Sequence, residues 1–212
     1  FSLFLTAYKE VSIDDFTRLV KCCSVITLRY NVIGGLNPNE QEDVYNRITL
    51  SIIDKKKFDI ELFRPIYVDD KDFEQAFSSK EFKRNTRNHK IVKYIFGSIE
   101  KKIKSNDIPA DSDVYTIEHI LPESADENWG EFKDEEITRS IYRLGNLVLL
   151  EKKLNQQADT LSFDEKKRIF AKSNSKLTQS VASEYDTWSE SKIVARQREL
   201  ARYAKSVWKI QF

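Results

Sequence analysis

The sequence predicts a mostly α-helical protein of the α+β class, in which helices wrap a short two-stranded hairpin and the helix that follows it. Apolar residues recur at three- and four-residue steps over most of the chain, which is the pattern of amphipathic helices. Two short β-type runs interrupt this pattern in the second half, at residues 114–117 and 147–150. With 212 residues and 40% hydrophobic side chains, the chain has enough apolar material for a folded core.

The first hundred residues are predicted to be helical. Helical spacing of apolar residues covers residues 16–26, 44–53 and 91–99. Either Ser12 or Asp14 can cap the first of these helices, because both side chains accept a hydrogen bond from a free backbone N–H. The apolar faces of these helices are predicted to pack in the core and to contribute no catalytic residues.

A domain boundary is expected near residue 105. Residues 1–105 are predicted to be a helical region that supports the second half and links it to a missing N-terminal domain. The sequence begins at Phe1 and contains no Met, from which we expect either a fragment of a longer protein or a sequence that omits Met-derived residues. The breaker-rich link at residues 106–109 then opens the second domain, residues 106–212.

The second domain is predicted to be built on strand, strand and helix. The first β-type run ends at Glu118 and His119, and a turn at Gly145-Asn146 leads into the second run. A helix is predicted over residues 151–158, and helical spacing continues to the end of the chain. In the next helix we expect Phe163, Lys167 and Phe170 to share one stripe.

Charge is unevenly distributed although the net charge is only +1. Residues 80–104 carry nine Lys and Arg against two Glu, and residues 105–138 carry one Lys against eleven Asp and Glu. The basic segment suits contacts to a polyanion, and the acidic one suits a divalent cation. A solvated helix face is the alternative for each segment.

Several protein classes are excluded by simple features. No run of apolar residues is long enough to span a bilayer and no secretory leader opens the sequence, so we expect a cytoplasmic protein without a membrane partner. The two cysteines, Cys22 and Cys23, are adjacent, which excludes a disulfide framework or a zinc knuckle and predicts buried apolar thiols.

Four polar residues fall around the predicted strand–strand–helix unit. Glu118 and His119 end the first strand, Asn146 precedes the second, and Asn155 lies one turn into the helix. Successive strand residues point to opposite faces, so a bend at the strand end is required to bring Glu118 and His119 into one cleft. The nine positions from Asn146 to Asn155 allow Asn155 to return beside Glu118.

These pieces resemble the HNH-type nuclease domain at the C-terminus of GmrSD-like modification-dependent restriction endonucleases. The similar segments are IEHILP (117–122), RLGNLVLLEKKLN (143–155), LSFDEKK (161–167) and the tail with Trp188, Arg196 and Trp208. The resemblance covers residues 85–212 well. It implies a ββα-metal unit, cleavage of DNA in anti-phage defence, and a separate N-terminal domain that binds nucleotide and recognises modified DNA.

The resemblance also implies roles for the four residues. Glu118 and Asn155 match metal-ligand positions, His119 matches the general base, and Asn146 matches the residue that orients the histidine. Many HNH domains carry Asp at the first motif position and His at the last, whereas this sequence has Glu118 and Asn155. Both are oxygen donors, which favour Mg²⁺ or Mn²⁺ over Zn²⁺. From local sequence alone, a half-buried structural His119 and a turn role for Asn146 remain open.

Cationic residues near these pieces are candidates for contacts to the nucleic-acid backbone. The candidates are Arg84, Arg87, Lys90, Lys152, Lys153 and Lys166. A solvated helix face is the alternative for the lysines, and His89 is expected at the surface.

Two further functions compete with the DNA endonuclease. A helical DNA-binding or protein-interaction module could keep the nuclease-like scaffold without catalysis, and an RNA nuclease would use the same site.

Overall fold

The computed structural model describes residues 2–125 and 127–212. Two positions used in the predictions, Phe1 at the apolar start and Asp126 in the acidic segment, lie outside the described residues. The chain divides into two compact units, one formed by the residues up to Ala76 together with Trp208–Phe212, the other by Phe77–Val207.

Helices begin in the first unit where the sequence supplies a cap. Ser12 Oγ accepts a hydrogen bond from Asp15 N at 3.1 Å, which confirms Ser12 as the cap of its helix. Asn37 caps the next long helix, with Pro38 at its first position. The elements are α1 (Ser2–Glu10), α2 (Ile13–Ile26), a π-helical turn (Thr27–Ile33), α3 (Pro38–Lys55), a 3₁₀ segment (Ile60–Ile66) and α4 (Asp70–Ser79), which continues into the second unit.

The two cysteines of α2 are buried and free, as predicted. Burial raises the pKa of Cys22 to about 11 and that of Cys23 to about 12, so both thiols stay protonated at neutral pH.

The second unit contains a strand pair surrounded by helices. Strand β1 (Tyr115–His119) pairs antiparallel with β2 (Leu147–Glu151), so that Tyr115 lies opposite Glu151 and His119 opposite Leu147. The remaining elements are α5 (Thr86–Ile103), α6 (Asp134–Ser140), α7 (Lys152–Ala158), α8 (Phe163–Phe170), α9 (Lys176–Glu184), α10 (Glu190–Val207) and 3₁₀ turns at Glu127–Trp129 and Leu144–Asn146.

The predicted mostly helical α+β class is confirmed, with small shifts at the element ends. Strand β1 runs from 115 to 119 instead of 114 to 117, and α7 starts at Lys152 because Glu151 still pairs in the strand ladder. The order β1, β2, α7 is that of the predicted strand–strand–helix unit.

Several helices pack against the strand pair. Leu147–Leu150 of β2 are all buried, because α5 and α9 pack against this strand. Helix α10 packs against the turn at Leu144–Asn146 so closely that a Cβ on Gly145 would lie 2.0 Å from the Ile193 carbonyl oxygen. Only glycine fits at that position.

The compact units differ from the domain boundary predicted at residue 105. Helix α5 contacts both β1 and β2, and therefore belongs with the strand pair. In the part of the chain that the structure describes, no helix has both the length and the apolar character needed to cross a membrane.

Candidate active site

A cavity of about 930 Å³ lies in the second unit, between the basic segment that leads into α5 and the β1–α7 face. It brings together three of the four predicted site residues, Glu118, His119 and Asn155. The full lining is Phe82, Lys83, Arg84, Asn85, Thr86, Asn88, His89, Lys90, Val92, Thr116, Ile117, Glu118, His119, Leu147, Lys152, Asn155, Gln156 and Asp159.

Glu118 is paired with a buried lysine. The Lys166 Nζ donates to Glu118 Oε1 at 2.6 Å and to the backbone oxygen of His119 at 2.7 Å. The lysine is fully buried and the Glu118 side chain is only 10% exposed. Burial raises the pKa of Glu118 and lowers the pKa of Lys166, and their mutual attraction opposes both shifts. The carboxylate is thus fixed through Oε1, and Oε2 is its second donor atom.

The structure buries Lys166, which we had predicted to lie at the surface. We expected a cation on the surface that could touch a phosphate, or a solvated helix face. Instead α8 buries Phe163, Lys166, Ile169 and Phe170, so the inward stripe contains Lys166 and not Lys167. The ammonium group is occupied by Glu118 and His119, and we do not assign it to nucleic-acid binding.

His119 is at the end of β1, with its side chain 21% exposed. Burial lowers the pKa of His119 to about 4, against the attraction of Glu123, and the cations Lys166 and Arg84 lower it further. The imidazole is therefore neutral at neutral pH. Its ring makes an edge contact with Tyr142, at 6.0 Å between centroids.

Asn155 is oriented by strand β1. Its Nδ2 donates to Thr116 Oγ1 at 2.9 Å and to the Ile117 backbone oxygen at 3.2 Å. Because a backbone oxygen only accepts hydrogen bonds, the nitrogen must face the strand, and Oδ1 is left as the free acceptor of the amide. Helix α7 thus presents a carboxamide oxygen in the cavity that also contains Glu118.

Asn146 is fully buried and, within the described residues, is not part of the cavity lining. Its Oδ1 accepts from Leu121 N at 2.8 Å and from Trp188 Nε1 at 3.1 Å, while Nδ2 donates to the backbone oxygens of Leu121 and Ile141. These bonds fasten the chain just after His119 to the turn before β2.

The chain bends directly after β1, at Ile120 and Leu121. The Ile120 N–H donates to the Asn146 backbone oxygen at 2.9 Å, which continues the pairing of β1 with the segment before β2, and Asn146 also holds Leu121 through its side chain. Glu118 and His119, just before this bend, both line the cavity.

The predicted cationic residues separate into three groups. Arg84, Lys90 and Lys152 line the cavity, whereas Arg87 and Lys153 are exposed but outside its lining. The third group is the buried Lys166.

Sequence reasoning missed three residues of the site. Lys83 and His89 line the cavity, and His89 is exposed as expected but shares this space with His119. Burial, with Lys93 and Arg84, lowers the pKa of His89. Asp159 also lines the cavity, and it follows α7 with a positive φ of 30° and a ψ of −119°, backbone angles that favour glycine.

The donor set fits a divalent cation that keeps most of its water. Among the described residues no three His, Cys, Asp or Glu side chains gather into a metal cluster. Glu118 Oε2 and Asn155 Oδ1 are hard oxygen donors, and Mg²⁺ is commonly bound through one or two protein oxygens together with waters and substrate phosphates. Zn²⁺ sites are built mainly from Cys and His donors, and this pair of side chains contains neither.

Fold and site together define an α+β domain in which one cavity combines a carboxylate, an imidazole, an amide and several cationic groups. Residues 67–203, more than half of the chain, match the family model of the C-terminal domain of GmrSD restriction endonucleases. The chain belongs to this family, which confirms the resemblance found in the sequence. No curated protein sequence matches the chain.

Proposed function

We propose that this domain is a metal-dependent DNA endonuclease that nicks DNA, the cleavage module of a modification-dependent restriction enzyme. The observation that carries the proposal is that Glu118, His119 and Asn155 line one cavity whose opposite wall is basic. Membership of a restriction endonuclease family supports the same function.

Glu118 and Asn155 are the residues that would hold Mg²⁺ or Mn²⁺. Lys166 and strand β1 already fix one atom of each side chain, so that Glu118 Oε2 and Asn155 Oδ1 remain for coordination. When bound, the cation supplies charge neutralisation for the phosphate and for the departing 3′ oxygen.

His119 is the general base of the proposal. Its low pKa keeps the imidazole unprotonated near neutral pH, so it can accept a proton from water. Hydrolysis by this route leaves a 5′-phosphate and a 3′-hydroxyl. Asn146 supports the base by holding the chain at Leu121, two residues after it.

The DNA backbone is expected to lie against the α5 wall of the cavity. Arg84 and Lys90 on that wall and Lys152 on the opposite side are placed to contact phosphates, with Arg87 and Lys153 on the surface nearby in sequence. Helix α5 begins at Thr86, so its positive N-terminal end also faces this space. Each phosphate contact makes binding weaken as salt rises.

The matched family is described as a C-terminal domain, which supports a further proposal about a partner. We propose that this domain works with an N-terminal domain that binds nucleotide and recognises modified DNA, and that the enzyme works in the cytoplasm in defence against phage.

A plasmid-nicking assay tests the function. We expect the wild-type chain to convert supercoiled plasmid to open circles in Mg²⁺ or Mn²⁺ and not in EDTA. His119→Ala should abolish nicking while circular dichroism and metal binding stay as in the wild type. Undiminished nicking by His119→Ala would remove His119 as the base.

The metal ligand has a matched control on the same helix. Asn155→Ala should raise the Mg²⁺ concentration for half-maximal activity by about 10-fold or more. Gln157→Ala removes a similar amide from an exposed position of α7 outside the cavity and should leave that concentration unchanged. Equal metal titrations for both variants would contradict the role of Asn155.

A binding module without catalysis is the second candidate, and one observation favours it. Lys166 already satisfies Glu118 with a cation from the protein itself. Retention of plasmid or of RNA without any cut, in Mg²⁺ and in Mn²⁺, would support this candidate. Cleavage of RNA in preference to DNA would instead identify a ribonuclease.

A further inference from the structure

A carboxylate lies next to the imidazole of His119. Glu123 lies four residues further along the chain, and its Oε1 is 3.8 Å from His119 Nε2. His119 lines the cavity, whereas among the described residues Glu123 is not part of that lining. The Glu123 side chain is 29% exposed and its carboxylate lies near the ring on the Nε2 side.

The Glu123 carboxylate is held at its other oxygen. Arg84 Nη1 donates to Glu123 Oε2 at 3.2 Å, and burial, the charge of Glu123 and a hydrogen bond to Glu123 raise the pKa of the neighbouring Tyr142. The Oε1 atom of Glu123 is buried and has no hydrogen-bond partner of good geometry among the described residues. A buried carboxylate oxygen without a donor is rare in a folded protein, and His119 Nε2 and the Tyr142 hydroxyl are the nearby groups that can donate to it.

We infer that Glu123 is a positioning residue that accepts a hydrogen bond from His119 Nε2–H and so fixes the tautomer and the orientation of the imidazole. This inference rests on the proposed role of His119 as the base. The 3.8 Å separation is longer than a hydrogen bond, so the bond from Nε2 to Glu123 requires the two side chains to come closer than they lie in the structure.

The tautomer decides which nitrogen can act. A neutral imidazole carries one proton, and the other nitrogen carries the lone pair. If the proton were on Nδ1, the Nε2 lone pair would face the negative Oε1, which is repulsive. With the proton on Nε2, Nδ1 is free to take a proton from water, and the resulting hydroxide attacks phosphorus. The bond from phosphorus to the 3′ oxygen breaks, and that oxygen takes a proton from solvent water to leave as the 3′-hydroxyl. The Glu123 carboxylate then stabilises the imidazolium that forms.

Nuclear magnetic resonance of the full chain reads the tautomer without any need for activity. The sequence contains only two histidines, His89 and His119, so a ¹⁵N spectrum has two imidazoles to assign. We expect His119 to be in the Nε2–H form in the wild type and to become a mixture of tautomers in Glu123→Ala. A wild-type His119 in the Nδ1–H form, or a Glu123→Ala spectrum identical to the wild type, would overturn the inference.

Two further variants separate positioning from folding. Glu123→Gln keeps an acceptor oxygen and should keep the Nε2–H tautomer. Glu127→Ala removes an exposed carboxylate from the same acidic segment and should change neither tautomer nor rate. Loss of the Nε2–H form in Glu123→Gln as well would show that the acceptor alone does not select it, which contradicts the inference.

Kinetics give the second readout. Glu123→Ala should lower kcat by about 10- to 100-fold while the KM for plasmid and the Mg²⁺ half-saturation stay within about 2-fold, and Glu123→Gln should recover most of the loss. An equal loss in both variants, or a change confined to KM, would refute positioning.

The two proposals fail separately. If the chain does not cut DNA but His119 shows a Glu123-dependent tautomer, the proposed function is wrong and the contact stands. If the chain cuts DNA and the His119 tautomer does not depend on Glu123, the proposed function stands and the inference about Glu123 is wrong.

Discussion

The buried ion pair between Lys166 and Glu118 gives the sharpest test of the structure. The change is Lys166→Met, which keeps the length and apolar stem of the side chain and removes its charge. The substitution leaves Glu118 without the donor to Oε1 and the His119 carbonyl without its bond, both of which are shorter than 2.8 Å in the structure.

The expected cost follows from burial. Lys166 is fully buried and the Glu118 side chain is 10% exposed, so water cannot replace the lost partner. Removing one member of a buried ion pair costs about 3–5 kcal/mol of unfolding free energy. In the double variant Glu118→Gln with Lys166→Met no charge remains unpaired, and the cost should fall at least about 2 kcal/mol below the sum of the single changes.

The cost should also depend on pH. Burial already raises the pKa of Glu118 above its ordinary 4.5, and loss of the lysine raises it further. A carboxyl whose folded pKa lies above its unfolded value destabilises the fold above the unfolded pKa, and the penalty disappears as pH falls through the folded pKa. Lys166→Met should therefore be less destabilising at pH 5 than at pH 8.

Urea unfolding in EDTA, followed by tryptophan fluorescence, measures these free energies. Lys172→Met is the matched control, since Lys172 is exposed just after α8 and the change should stay within about 0.5 kcal/mol. The reasoning is refuted if Lys166→Met unfolds at the wild-type urea concentration. It is equally refuted if the two single changes add without coupling.

Three other outcomes follow from the geometry. Gly145→Ala should lower stability by about 3 kcal/mol, visible as a lower Tm, because its Cβ would overlap the Ile193 carbonyl oxygen at 2.0 Å; a wild-type Tm would contradict the close approach of α10. Asn146→Ala should lower the free energy of unfolding, measured in urea, by about 3 kcal/mol or more, because Trp188 Nε1 and three backbone groups lose their hydrogen-bond partner. A loss below about 1 kcal/mol would contradict the importance of these bonds. The acid limb of a kcat/KM profile should lie near the pKa of His119, about 4, because the base works only when unprotonated, and a limb near 6.5 would contradict the burial of the imidazole.

Much of the fold could be predicted because it depends on neighbours in sequence. Ser12 caps α2 with its own side chain, and the turn at Gly145-Asn146 leads into a strand of four consecutive apolar residues. The placement of Glu118 and His119 at the end of β1 and of Asn155 in α7 could also be predicted, because it depends only on where the strand ends and the helix begins.

Helix α8 shows where the local pattern was insufficient. Helical spacing is compatible with either Lys166 or Lys167 on the inner side of the stripe with Phe163 and Phe170. Only the position of Glu118, 48 residues earlier, decides that the lysine facing inward has a partner for its charge. The prediction of a surface phosphate contact failed because a buried cation has no signature of its own in the sequence.

The sequence by itself therefore determined the mostly helical α+β class and the order strand, strand, helix, because propensity, spacing and turn chemistry act over a few residues. Only the tertiary structure decided that α5 lines the cavity and that Asn146 bonds to the segment after β1. It also decided that Lys166 is buried and that Glu123 lies beside His119. Those outcomes depend on contacts between distant segments, whose free energy comes from packing and desolvation that no local pattern contains.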